Sequence, residues 1–339
     1  MTTMKAIVQE AYGSADLLQL RDVDRPVPGD DEVLVRVRAA SVHPDVWHVV
    51  NGLPYVLRIM GAGLRSPKDL IPGTDVAGTV ESVGKDVTRF KPGDDVFGES
   101  HRGHQWRNGR AYAEYAAVPE ETLALKPTNI TFAQAASVPT SGYIAISGLC
   151  HEGQVRAGQK VLINGAGGGV GALALQLAKA YGASVTAVDS TPKLDLLRTL
   201  GADRVIDYVQ EDFTQGSERY DLIIDIPGNH SLSECRRALV PTGTYVLIGH
   251  AGFDSRRRRV LGEVPRSLGL VARGFFVSQV PRMRQPQPTK HDVIATLSEF
   301  LATGQLTPVI DRAYPLAEVP AALHYLQEGT ALGRIVITI

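Results

Sequence analysis

The spacing of apolar residues divides the chain into two kinds of territory. Up to Lys126-Pro127 the apolar runs are short and turn residues interrupt them. Glu32-Val33-Leu34-Val35-Arg36-Val37-Arg38 has the alternation of a strand with one buried face. Val76-Ala77-Gly78-Thr79-Val80 is another short run, ahead of the turn Pro92-Gly93-Asp94-Asp95. Stretches 56–70 and 101–110 fit no strand and are expected as loops over a cleft. After Lys126-Pro127 the period lengthens. The Ala- and Ser-rich stretch 131–148 predicts a helix, Val161-Leu162-Ile163-Asn164 a strand, 165–171 a glycine turn, and 170–181 a helix stopped by Gly182. Further strands are predicted at 184–189, 204–208, 221–226 and 244–248. Strands alternating with helices require a parallel sheet covered on both faces. From Arg273 the chain leaves that sheet; helices are predicted at 292–303 and 315–326, and a final strand at 334–339.

Composition narrows the class without naming it. The 339 residues suit about two domains, and 44 % hydrophobic with 21 % charged residues is an ordinary globular balance. A formal net charge of −1 gives no general attraction to nucleic acid or to an acidic membrane. No apolar run approaches the roughly 18 residues of a membrane span, and the opening MTTMKAIVQEAYG has no signal-peptide core. Cys150 and Cys235 are the only cysteines, so no disulfide framework is expected and a cytoplasmic setting is favoured. The run Arg256–Arg259 is read as a solvated loop.

The turn Ala166-Gly167-Gly168-Gly169-Val170-Gly171 matches G-x-G-x-x-G with alanine first. Glycines there let the backbone approach a pyrophosphate, whose charge the following helix N-terminus favours. The turn follows a predicted strand and opens a predicted helix. Asp189 ends the next strand about 20 residues on, as a ribose-binding acid does. Ala166, Gly168, Gly169, Val170, Gly171, Asp189 and Ser190 are therefore candidate dinucleotide contacts. The Asp189 carboxylate can accept from a ribose 2′-hydroxyl and repels a 2′-phosphate, which favours NAD(H); Lys193 and Tyr208, both able to help hold a phosphate, keep NADP(H) as the alternative. In the early loop, Trp47, Tyr55, Trp106 and Tyr112 are candidates for an aromatic wall against a flat substrate.

These features, with Met4-Lys5-Ala6-Ile7-Val8, Pro72-Gly73-Thr74-Asp75-Val76-Ala77-Gly78, Tyr112-Ala113-Glu114-Tyr115, Leu200-Gly201-Ala202-Asp203 and Gly333-Arg334-Ile335-Val336-Ile337, resemble the zinc-independent, quinone-reductase and zeta-crystallin-like branch of the medium-chain dehydrogenase/reductase superfamily. The resemblance covers nearly the whole chain. It implies an α/β fold in which a Rossmann doubly wound parallel sheet (130–275) is inserted into a GroES-like β-rich substrate domain (1–129 and 276–339), with the active site between them, and a homodimer. By position in that pattern Thr140, Ile248, Gly249 and Phe276 lie near the nicotinamide, and Phe275 lines the cleft.

Zinc-dependent relatives place a cysteine, a His-Glu pair and a second cysteine where this chain has His43, Thr74-Asp75 and Ser137. Hydroxyls replace imidazole and thiolate poorly, so no metal is expected. Without a Lewis acid to polarise an ordinary carbonyl, the resemblance points to acceptors that are already electrophilic: quinones, enones and related activated carbonyls, reduced by NAD(P)H. An alcohol/aldehyde dehydrogenase, an enoyl reductase and a non-catalytic cofactor-binding protein are the alternatives. The loop Ser41-Val42-His43-Pro44-Asp45-Val46-Trp47-His48 departs from the quinone-reductase pattern, which has Asn at 43 and Asp at 46. It brings two imidazoles and a carboxylate instead, and His43, Asp45 and His48 are candidates for proton exchange.

Overall fold

The computed structural model describes residues 2–103, 106–249, 260–262, 264–274, 277–281 and 287–339. β1 (Thr3–Val8) and β2 (Gln19–Asp24) form an antiparallel pair. A seven-stranded sheet follows, from β3 (Glu32–Val42), β4 (Asp75–Val83), β5 (Asp95–Glu99), β6 (Tyr115–Pro119), β7 (Leu123–Leu125), β13 (Ile310–Pro315) and β14 (Arg334–Thr338). Its order is β13-β14-β3-β4-β5-β7, with β6 on β3; β13 and β14 are parallel and the other pairs antiparallel. The chain therefore returns to its first sheet after a long excursion, and residues from both ends share one core around Val35, Val42, Trp47, Ile335 and Leu323.

The excursion is a five-stranded parallel sheet of β8 (Lys160–Asn164), β9 (Ser184–Asp189), β10 (Arg204–Asp207), β11 (Tyr220–Asp225) and β12 (Leu239–Leu247), in the order β10-β9-β8-β11-β12. β8 has β9 on one side and β11 on the other, so the winding reverses there. In such sheets ligands bind outside the carboxyl ends of the strands at this switch point. α4 (Gly169–Ala180), α5 (Leu194–Thr199) and α6 (Leu232–Arg237) connect the strands. α4 buries Leu173, Leu175, Leu177 and three alanines, and it shares a core with α3 (Pro139–Ile146) and with Leu297 and Leu301 of α8 (Lys290–Ala302).

Three expectations need adjusting. The helix expected across 131–148 is broken into α2 (Phe132–Ala136) and α3, because Pro139 has no N–H to continue α2 and starts the next helix instead. The strand expected at 244–248 begins earlier, at Leu239. The helix expected from 315 is preceded by β13 and starts at Val319, as α9 (Val319–Gln327). No helix among the described residues is long and apolar enough to cross a membrane.

Candidate active site

At the end of β8, Asn164 donates from Nδ2 to Asp225 Oδ1 (2.9 Å) and Asn229 Oδ1 (2.8 Å), tying the carboxyl ends of β8 and β11 together. The chain then turns through Gly165, whose φ of 80° suits glycine. A Cβ on Gly171 would lie 2.2 Å from the Gly165 carbonyl oxygen, so the turn closes onto α4 only without a side chain there. Gly168 is different: a Cβ would meet nothing nearer than that same oxygen at 3.8 Å. The space before the start of α4 is open and its amides face it, which is an anion cradle. Ala166 is buried beneath it and Val170 half-buried.

Asp189 Oδ2 accepts from the Gly167 N–H (2.8 Å) and Oδ1 from the Ser190 N–H (2.8 Å). Lys193 is buried, with Nζ 3.8 Å from Asp189 Oδ1 and its stem against Gly167. Tyr208 is exposed beside them. Ile248 lies just past β12, its tip against Gly148, and Gly249 follows, close to the Ile226 carbonyl. Phe275, Phe276 and the run 256–259 lie outside the described residues.

A residue that sequence reasoning missed completes this wall. Gly333 donates its N–H to the Gly167 carbonyl (2.8 Å), which brings β14 against the glycine turn. The next residue, Arg334, is only 5 % exposed, and its Nε and Nη2 have no hydrogen-bond partner. Its guanidinium lies over Gly169, where a Cβ would come within 3.0 Å of Nε. Burial lowers the pKa of this cation, against the opposing pull of Asp75, Asp45 and Tyr112. A buried cation with donors unspent is costly unless an anion joins it. The one available signal was a lone arginine opening an otherwise apolar final strand.

Across the cleft, His43 stands at the start of α1 (Pro44–Asn51) and is buried. Its Nε2 is 2.7 Å from Thr74 Oγ1 and its Nδ1 3.4 Å from Asp45 Oδ2. Trp106 donates from Nε1 to Asp45 Oδ1 (3.3 Å). Burial pushes the Asp45 pKa up, but the neighbouring His43 and His48 imidazoles and the indole N–H of Trp106 outweigh it and hold the carboxyl below its ordinary value. His48 pairs through Nδ1 with the Leu53 carbonyl (2.9 Å). The structure thus joins His43, Asp45 and Trp106 and turns that nitrogen of His48 toward the backbone.

Asp75 is a second hub that sequence reasoning left unassigned. Fully buried, it accepts from Ser41 Oγ (2.6 Å) at Oδ2 and from the Thr140 N–H (3.0 Å) and Oγ1 (2.5 Å) at Oδ1. It staples β3 and β4 to the start of α3 and fixes the Thr140 hydroxyl. Its cross-strand neighbour Glu99 is paired with Lys290 Nζ (2.5 Å), which also donates to the His101 carbonyl (3.0 Å). Burial raises the Glu99 pKa, opposed by Lys290. Both His101 ring nitrogens are buried without a partner, and burial, then the charge of Lys290, push its pKa down to about 4.

Two aromatic expectations are corrected. Tyr112 is fully buried: its ring fills the space under Gly73 and its hydroxyl donates to the Ser41 carbonyl (2.9 Å). Trp47 packs into the same core. Both are core side chains in this structure. Tyr55 is exposed over the Arg58 guanidinium.

The potential metal donors are of the wrong kind or committed elsewhere. Thr74 holds His43, Ser137 donates from Oγ to the Gln134 carbonyl (2.7 Å), and Asp75 holds Ser41 and Thr140.

A β-rich sheet built from both chain ends, interrupted by a doubly wound sheet with a glycine-turn cradle, is the architecture of a two-domain dehydrogenase. Residues 29–128 match the alcohol dehydrogenase GroES-like domain family, and residues 200–337 match a family described as zinc-binding dehydrogenase. The chain is 34 % identical to the 2-methylene-furan-3-one reductase of Solanum lycopersicum, over 98 % of this chain and 79 % of that one. It is 29 % identical to the quinone oxidoreductase of Homo sapiens, over 98 % and 97 %. The solved structure of the quinone oxidoreductase from Coxiella burnetii superposes with a TM-score of 0.81 at 27 % identity, covering all of both chains. The chain belongs to the medium-chain dehydrogenase/reductase superfamily.

Proposed function

We propose that this protein is an NAD(P)H-dependent oxidoreductase that reduces quinones, enones or related activated carbonyls without a metal. The observation that carries the reading is the open glycine cradle with the unspent Arg334 guanidinium beside it, a place made for a dinucleotide pyrophosphate. In this reading Gly168, Gly169 and the start of α4 receive the pyrophosphate and Arg334 neutralises it. Asp189 accepts from the adenosine ribose, favouring NAD(H). Thr140, held by Asp75, faces the nicotinamide with Ile248 and Gly249. A bound nicotinamide supplies the hydride. His43 and Asp45 hold the acceptor oxygen and deliver its proton. The relatives named as quinone oxidoreductase and as alkenal/one oxidoreductase support the acceptor class. Because the donors at 43, 74 and 137 do not suit zinc, positioning takes the place of a Lewis acid. The division at 129/130 and 275/276, the homodimer and the cytoplasmic setting belong to the same proposal.

The test is oxidation of NADH and NADPH against a quinone, an enone and a saturated aldehyde, before and after chelator treatment. Turnover of the first two acceptors, unaffected by chelation, is expected. Activity restored by zinc, or turnover of the aldehyde alone, would overturn the reading.

A further inference from the structure

Of the four aromatic side chains at the substrate loop, three are committed. Trp47 and Tyr112 pack in the core, and Tyr55 lies against the Arg58 guanidinium, with 4.7 Å between Arg58 Cζ and the ring centre. α7 (Val264–Arg273), held beyond the carboxyl end of β11 by Arg266, which donates to the carbonyls of Gly228 and His230, brings no ring. Trp106 differs. It is half-buried, and its Nε1 donates to Asp45 Oδ1 (3.3 Å), while Asp45 Oδ2 stands 3.4 Å from His43 Nδ1. One carboxylate thus links indole and imidazole. The Asp45 side chain is 22 % exposed against 1 % for His43, so the carboxylate and the indole are the groups a ligand meets first. The segment that carries the indole is fixed. Asn108 donates from Nδ2 to the Asp69 carbonyl (2.7 Å) and to Gln9 Oε1 (3.0 Å). The Gly109 N–H donates to the carbonyl of Gly73 (2.8 Å), the residue before the Thr74 that holds His43.

We propose that Trp106 selects the acceptor by shape: a flat, electron-poor ring stacks on its indole and so comes to rest beside Asp45 and His43, whereas an open-chain acceptor finds no such seat. The inference rests on the reading of the cleft as a hydride-transfer site and names the residue that sets its preference between two kinds of acceptor. The faces of an indole are electron-rich, and a ring drained by two carbonyls is drawn to them in an offset stack. The bond to Asp45 spends the indole N–H, so its faces are what remain for a ligand. That bond also fixes the rotation of the ring, and the carboxylate polarises it further. The cost of ordering the wall is met in the free protein, before any acceptor arrives.

The test uses the full-length protein and two acceptors, the flat 1,4-naphthoquinone and the open-chain 1-penten-3-one. With oxidised dinucleotide present no turnover occurs, and a quinone quenches indole emission on contact. The chain has two tryptophans, and Trp47 is 4 % exposed. Saturable quenching by the quinone in the wild type, lost in Trp106→Phe, is therefore expected. In Trp106→Leu the naphthoquinone-to-pentenone ratio of kcat/KM should fall about tenfold. Trp106→Phe keeps an aromatic face but has no N–H, and should restore most of that ratio. A ratio unchanged in Trp106→Leu, or quenching that persists in Trp106→Phe, would overturn this inference and leave the proposed reaction standing. Equal losses in the two variants would assign Trp106 to the orientation of Asp45 alone and overturn the inference as well. Reduction of neither acceptor by the wild type would overturn both.

Discussion

At the glycine turn the protein holds a buried guanidinium with two nitrogens unpaired, facing backbone amides and open space. At the substrate loop it is the carboxylates that are engaged: Asp75 takes three hydrogen bonds and Asp45 one from Trp106, while His43 is held by Thr74 at Nε2 and leaves Nδ1 without a hydrogen bond, 3.4 Å from Asp45. The two walls of one cleft thus answer different physical demands. An anion arriving at the first completes hydrogen bonds that the folded chain left open. Nothing charged is invited by the second, so a substrate there is held through shape and the single His43–Asp45 pair. The contrast explains how the protein can bind a highly charged dinucleotide beside a neutral, apolar acceptor.

The largest expected effect separates cradle from scaffold within the first wall. Gly168→Val should fold and lose dinucleotide affinity by at least about a hundredfold in calorimetry, as several phosphate hydrogen bonds are blocked. Gly171→Val, pressed onto the Gly165 carbonyl, should instead fail to fold or melt far below the wild type. Normal affinity in folded Gly168→Val would break the comparison. Next is Arg334→Met. Relief of a buried guanidinium without hydrogen bonds at Nε and Nη2 opposes the loss of its attraction to Asp75 and Asp45, so the free protein should stay within about 1 kcal/mol of the wild type while dinucleotide binding weakens roughly 10- to 100-fold. Thermal melts with and without cofactor read both, and a free protein destabilised beyond that would show that Arg334 is already paired.

At the junction of the walls, His101 stays neutral in the fold because its pKa is pushed down to about 4 from an ordinary 6.5. A depressed folded-state pKa gives stability that is complete above the unfolded value and is lost as pH falls through the folded one. Unfolding free energy should therefore drop between pH 6.5 and 4, by up to about 3 kcal/mol, and His101→Phe should flatten that part of denaturant-measured profiles. An unchanged profile in the variant would assign the acid sensitivity elsewhere. The smallest effect is at Asp189. Its carboxylate repels a 2′-phosphate, but Lys193 lies 3.8 Å away and water screens the pair. Asp189→Ser should move the NADH-to-NADPH ratio of kcat/KM by about tenfold toward NADPH. Wild-type preference for NADPH would mean that Lys193 or Tyr208 already outweighs the acid.

How far the sequence could be read depended on the distance over which each feature is built. The glycine turn, β8, α4 and Asp189 are written within one βαβ unit, so their spacing revealed them. The return of β14 to the first sheet was expected only through the resemblance, and the role of Arg334 arises from a contact between Gly333 and Gly167 that nothing local announces. Asp75 was visible only as a poor zinc ligand; its role as a staple needs Ser41 and Thr140, from another strand and from α3. Aromatic residues misled for the opposite reason. Tyr112 has the amphipathic character of a binding-site residue, yet the gap left under Gly73 and a backbone carbonyl within reach of its hydroxyl place it in the core. Composition could not distinguish those fates.

The Gly333–Gly167 hydrogen bond makes the complete nucleotide site depend on the assembly of both sheets. The glycine turn and its flanking strands are local in sequence, but Arg334 stands beside them only where β14 is aligned against β3. Dinucleotide binding is therefore selective for molecules in which both sheets are assembled, and it shifts the population toward them by mass action. In a cell, nucleotide supply would shield finished molecules from proteolysis while leaving half-assembled ones exposed, so the cofactor would serve as an inspector of the fold as well as a reactant.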